Sequence, residues 1–124
     1  MLSVKGLTKR FGGFTAVNNV DFQVDKGEIL GLIGPNGSGK STIFNMLSGA
    51  LSPNGGSVVL NEQEIAGVPP HKICGMGVGR TWQIPRPIRR LTIFENAMLA
   101  GYYGASGEIS RSSAEKAAHD ALEM

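Results

Sequence analysis

The sequence predicts an α/β fold, on three observations. The run "EILGLIG" at 28–34 has the near-continuous hydrophobicity of a short strand buried on both faces. The glycine-rich segment "GPNGSGKS" at 34–41 follows at once. From Lys40 the period changes, and Ile43, Phe44, Met46, Leu47 and Ala50 recur at helical spacing. A strand, a glycine-rich loop and a helix in that order form the setting in which backbone is bent to hold phosphate.

The other elements follow along the chain. "LSVKGLTKRF" gives a weak strand signal through Leu2 and Val4. "NVDFQVD" is clearer, because Val20, Phe22 and Val24 alternate with polar residues and so share one buried face. "DKG" at 25–27 is a turn, and "SPNGG" at 52–56 stops the first helix. "SVVLNEQEI" reads as a short hairpin or strand pair. "PPHKICGMG" allows a helix with proline in its first turn. "VGRTWQ" is a candidate strand that leads into the proline-punctuated loop "IPRPIRRL". Thr92 and Glu95 in "TIFE" form a capping box opening a helix through about Tyr103. "GASGEISR" is loop. A second box, Ser112 to Glu115, opens a helix whose apolar face is Ala114, Ala117, Ala118, Ala121 and Leu122. That helix has no terminating signal before the last residue, so the chain is expected to be incomplete.

Length and composition narrow the class. With 124 residues the chain is expected to make one domain with a modest core. It is 41% hydrophobic and 18% charged, as a folded protein is. Glycine reaches 18 residues, about twice the usual ~7%, so tight turns or close backbone approaches are expected. The net charge of +2 is too small to argue for nucleic acid as a partner. The charge is uneven, since Arg80, Arg86, Arg89 and Arg90 lie in an acid-free stretch. That stretch is either a solvated basic loop or a docking surface near a membrane or partner. The single Cys74 excludes an intrachain disulfide and fits a reducing compartment. No apolar run approaches the ~18 residues of a membrane span, and the N-terminus lacks a signal-peptide pattern. A cytosolic chain, or one held at a membrane through partners, is expected.

The chemistry concentrates at 34–42. Gly34 to Ser41 spells G-x-x-x-x-G-K-S. Gly34, Gly37 and Gly39 let the backbone curl so that successive N–H groups converge. The following helix adds unpaired N–H groups and the positive end of its dipole. Pro35, Asn36 and Ser38 complete the loop. Lys40 is expected to reach the β- and γ-phosphates of a nucleotide, Ser41 to ligate Mg²⁺, and Thr42 to assist at the α-phosphate. The alternative is a glycine-rich turn that happens to precede a helix.

The segment from "GLTKRFGGFTAVNNVDFQVDKGEILGLIG" through "SVVLNEQEI" resembles the N-terminal half of ABC-type ATP-binding subunits. "GVGRTWQIPRPIRRLTIFENAMLAG" is similar to the subgroup serving branched-chain amino acid importers. The resemblance implies a P-loop NTPase of the ABC type. Residues 1–82 would hold the nucleotide-binding core with its antiparallel β subdomain. Residues 83–124 would hold the glutamine loop and the start of a helical subdomain. It also implies that Phe11 stacks on adenine, for which any flat π-face serves; the alternative is a core aromatic beside Phe14. Gln83 would reach Mg²⁺ and the attacking water and couple the site to transmembrane permease subunits; otherwise it is an ordinary polar loop residue. The loop after it would face those permeases at the cytoplasmic side of the membrane. A second ATP-binding subunit would complete each site, and the cargo would not be touched.

The family's remaining hydrolytic parts have no match here. No apolar run ends in Asp-Glu, no "LSGGQ"-like segment occurs, and Asp21, Glu95, His71 and His119 have the wrong surroundings. The chain as it stands is expected to bind nucleotide weakly and hydrolyse almost nothing. The rivals are the same machine for another cargo such as urea or a short amide, a P-loop kinase or GTPase, and a short nucleotide-binding or regulatory protein.

Overall fold

The computed structural model describes residues 1–104 and 110–123. The middle of the loop expected at "GASGEISR" therefore lies outside the described residues, as does Met124. The chain divides into two compact units, Met1–Pro70 and His71–Met124.

The first unit is built on a four-stranded antiparallel sheet in the order β2-β1-β3-β4. Its strands are β1 (Leu2–Phe11), β2 (Phe14–Val24), β3 (Gly55–Leu60) and β4 (Gln63–Glu64), and its helix is α1 (Lys40–Leu47). β1 explains why its sequence signal is weak. Val4 and Leu7 are both buried although they are three positions apart, because the register shifts between them. Gly6 takes φ +61° at that irregularity, and its N–H donates to the Asp21 carboxylate. An extra residue in a strand reverses which side chains face the core, so simple alternation fails.

The turns follow their residues. Gly12, at φ +57°, supplies the positive φ that a two-residue hairpin needs at its first central position. Asn61 and Glu62 both take positive φ in the β3–β4 hairpin, which bears out the strand pair expected at 57–65. Around this frame Val4, Leu7, Val17, Ile43, Met46, Val58 and Ile65 are buried. Full burial of such a side chain contributes roughly 1.5–3 kcal/mol. In α1 the buried pair is Ile43 and Met46, while Phe44 is half exposed and Ala50 exposed. The helix ends at Leu47, earlier than its apolar spacing suggests. Ser48 N–H bonds to Phe44 O, Gly49 N–H bonds to Met46 O, and Gly49 takes φ +72°.

The segment at 28–34 departs from expectation. It pairs with no strand among the described residues, and Ile29 and Ile33 are 97% and 93% exposed. A strand buried on both faces needs a neighbour along its edges and a layer on each side. The described antiparallel sheet gives it neither.

In the second unit α2 (Pro70–Gly75), which begins at the boundary, leads to α3 (Ile93–Gly104) and α4 (Arg111–Leu122). "VGRTWQ" is not a strand; residues 78–92 run as irregular backbone. The Thr92–Glu95 box is formed in both directions. Glu95 N–H donates to Thr92 Oγ1 at 3.2 Å, and Thr92 N–H donates to Glu95 Oε2 at 2.7 Å. The bonds from the Thr92 backbone and hydroxyl hold the Glu95 carboxyl below its ordinary value, against a smaller opposing effect of burial. The second box is not formed. Ser110 caps α4 by accepting from Ser113 N–H, and Glu115 pairs with Arg111 at 3.0 Å. A serine two residues earlier therefore starts the helix, and the acid is taken by a cation one turn before it.

α3 and α4 pack antiparallel, since Gly101 late in α3 meets Ala114 early in α4 while Phe94 meets His119 at 4.7 Å between ring centroids. Only Ala114 and Ala118 are buried on α4; Ala117, Ala121 and Leu122 are exposed. Among the described residues no helix is long and apolar enough to cross a membrane.

Candidate functional site

The glycine-rich loop at 34–39 ends directly in α1. Gly39 is the N-cap residue at φ +90°, and the first helical bond runs from Ile43 N–H to Gly39 O at 2.9 Å. The amides just before it, from Gly39 to Thr42, thus precede any intrahelical partner. They form the end of the helix at which an anion is favoured. Gly37 adds a second left-handed residue at φ +84°.

Two glycines are fixed by space as well as by conformation. A Cβ at Gly34 would lie 2.8 Å from Ser38 Oγ, and one at Gly39 would lie 2.5 Å from the Ala16 carbonyl oxygen. The loop is therefore curled on itself at Gly34 and pressed against β2 at Gly39. Pro35 O accepts from Ser38 N–H at 3.3 Å, closing a turn across Asn36 and Gly37.

Lys40 folds back over this loop. Its ammonium donates to Gly34 O at 2.7 Å, Pro35 O at 2.6 Å and Ser38 Oγ at 3.3 Å. A positive charge is thus held beside the helix N-terminus. Ser41 is exposed and Thr42 half-buried in the first turn. A hard cation such as Mg²⁺ takes oxygen ligands, commonly one or two from the protein with the rest from phosphate and water. The Ser41 hydroxyl suits that donor set. Among the described residues no group of three or more His, Cys, Asp or Glu could hold a metal by itself.

Phe11 ends β1 and is 49% exposed, so it is not a core aromatic. The Lys9 ammonium lies over its ring, 5.4 Å from the centroid. Sequence reasoning missed this contact, although Lys9 and Phe11 are two apart on a strand and so share a face. It also missed the approach of Ala16 and Val17 to Gly39, for which no local signal exists. In the second unit Gln83 is exposed, beside Trp82, whose ring carries the Arg80 guanidinium at 4.0 Å. Arg86, Arg89 and Arg90 are exposed in the following loop.

A strand hairpin packed on a glycine loop, a lysine folded over it and a helix beginning at its end define a P-loop nucleoside-triphosphatase fold. The ABC transporter family profile matches residues 17–124, and the chain belongs to that family. It is 49% identical over 100 residues to the high-affinity branched-chain amino acid transport ATP-binding protein LivG of Escherichia coli K12. It is 47% identical over the same length to the corresponding protein BraF of Pseudomonas aeruginosa. In both cases the match covers 81% of this chain and 39% of the relative, so the chain spans about two fifths of the relatives' length. Among solved structures, it is similar to the ADP conformation of an ATP-binding cassette of an ABC transporter. That similarity has a TM-score of 0.72 and 36% identity, covering 80% of this chain and 39% of the other. A dimeric post-hydrolysis cassette bound to ADP and Pi gives a TM-score of 0.82 with 27% identity, covering 99% of this chain and 56% of the other.

Proposed function

We propose that this chain supplies the phosphate-binding half of the ATP-binding subunit of an importer for branched-chain amino acids. The observation that carries the reading is the Gly34–Thr42 loop, where convergent amides and the Lys40 ammonium meet at one helix end. Backbone N–H groups and Lys40 hold the phosphates of ATP, and the Ser41 hydroxyl holds Mg²⁺, which neutralises phosphate charge when bound. Thr42 assists at the α-phosphate, and Phe11 offers the exposed face on which adenine stacks. Gln83 acts as the coupling residue toward Mg²⁺ and water. By role, residues 1–82 bind the nucleotide and residues 83–124 carry the coupling loop toward the transmembrane permeases.

The cargo reading rests on the names of the LivG and BraF relatives. Pairing with a second ATP-binding subunit is supported by the dimeric cassette among the structural neighbours. In this reading the subunit sits at the cytoplasmic face of the membrane through its permeases and does not touch the cargo. Two measurements test it. Calorimetric titration should show Mg²⁺–ATP binding that Lys40→Ala weakens by more than about tenfold. Cells carrying Lys40→Ala in the gene should lose leucine uptake while keeping urea uptake; intact leucine uptake would remove the cargo assignment.

A further inference from the structure

Phe11 and Phe14 close the β1–β2 hairpin as a directly opposed pair around Gly12 and Gly13. Opposed residues of an antiparallel pair project to the same side of a sheet. Both side chains therefore project to one side at this end, 49% and 64% exposed. Two large aromatics left exposed on one side of a hairpin contribute little to folding and mark a surface suited to contact. One face of Phe11 is already covered by the Lys9 ammonium, which is itself held by the Ser52 carbonyl at 2.6 Å. The opposite face is the one left for a flat partner.

β2 ties this hairpin end to the phosphate loop. A Cβ at Gly39 would lie 2.5 Å from Ala16 O and 3.2 Å from Val17 Cγ2, so the strand touches the loop there. Phe14 lies two residues along the same strand, about 7 Å away at ~3.3 Å per residue. We propose that Phe14 is a second aromatic contact for the base of a bound nucleoside triphosphate, beside Phe11, and that the pair favours a purine over a pyrimidine. The proposal rests on the nucleotide-binding reading above. Stacking needs only a π-face, so selection comes from stacked area and not from hydrogen bonding.

The test is calorimetric titration of the full chain with Mg²⁺–ATP, Mg²⁺–CTP and magnesium inorganic triphosphate, comparing wild type, Phe14→Ala and Phe14→Leu. Both substitutions should weaken ATP binding about fivefold or more, weaken CTP less, and leave triphosphate unchanged. Unchanged triphosphate binding shows that the loop is intact, and Phe14→Tyr should restore ATP affinity. Wild-type ATP affinity in Phe14→Leu would overturn the proposal. Equal loss of ATP and triphosphate in both variants would also overturn it, by assigning Phe14 to packing. A wild-type chain that binds neither ligand removes the nucleotide reading itself and this proposal with it, an outcome separate from any selective effect at position 14.

Discussion

Gly39 presses against the backbone of Ala16 so closely that a Cβ on it would lie 2.5 Å from the Ala16 carbonyl oxygen. The contact joins the first turn of α1 to β2, and so sets where the phosphate loop sits on the sheet. Gly39→Ala meets two obstacles, this oxygen and a φ of +90°. Left-handed backbone alone costs a residue with a Cβ about 1–2 kcal/mol. Urea unfolding should show Gly39→Ala destabilised by at least about 2 kcal/mol, with ATP binding lost in parallel.

Lys40 should behave in the opposite way. Among the described residues its ammonium bonds to groups of its own loop, Gly34 O, Pro35 O and Ser38 Oγ. Removing it leaves the core untouched. Lys40→Ala should therefore unfold within about 0.5 kcal/mol of wild type in urea while losing ATP affinity. A large stability loss would show that the lysine is a strut of the loop.

The Thr92–Glu95 box predicts a pH dependence. The Glu95 carboxyl titrates below its ordinary value of 4.5 because Thr92 donates to its charged form. A depressed carboxyl stabilises the fold above its unfolded value, and that contribution is lost as pH falls through the folded value. Helicity of α3 should thus hold at neutral pH and fall in the acid range below 4.5. An NMR titration should place the Glu95 midpoint below 4.5, and Thr92→Val should move it upward.

Gly101 allows a sharper test of the α3–α4 packing. A Cβ there would lie 3.4 Å from Ala114 O and 3.6 Å from Ala117 Cβ, which is ordinary contact. Gly101→Ala should therefore be tolerated or should stabilise, by up to about 1 kcal/mol, through lower backbone entropy in the unfolded chain. Gly101→Leu has no room and should destabilise by about 1–3 kcal/mol. Thermal melts of the two variants moving in opposite directions would verify the close approach.

What the sequence disclosed followed from how local each signal was. The glycine-rich curl and the helix start at Lys40 were readable because their signals lie within nine residues, and the Thr92–Glu95 box for the same reason. β1 was faint because the bulge at Gly6 puts Val4 and Leu7 on one side despite their odd separation. The α4 cap moved because Ser110, Ser112 and Ser113 all compete for one role, and Arg111 claimed Glu115. The segment at 28–34 was misread for a longer-range reason. Its hydrophobicity specifies a two-sided strand, but the neighbours that would bury Ile29 and Ile33 are not among the described residues. The contact of Gly39 with Ala16 spans 23 positions and leaves no trace in either local pattern.

The central claim is that an anion is seated by the amides at the start of α1. Backbone amide NMR during titration with magnesium inorganic triphosphate tests it most directly. The resonances of Gly37, Gly39, Lys40, Ser41 and Thr42 should move first and furthest, saturating together. Saturable shifts centred on another part of the chain, with these five unmoved, would contradict it.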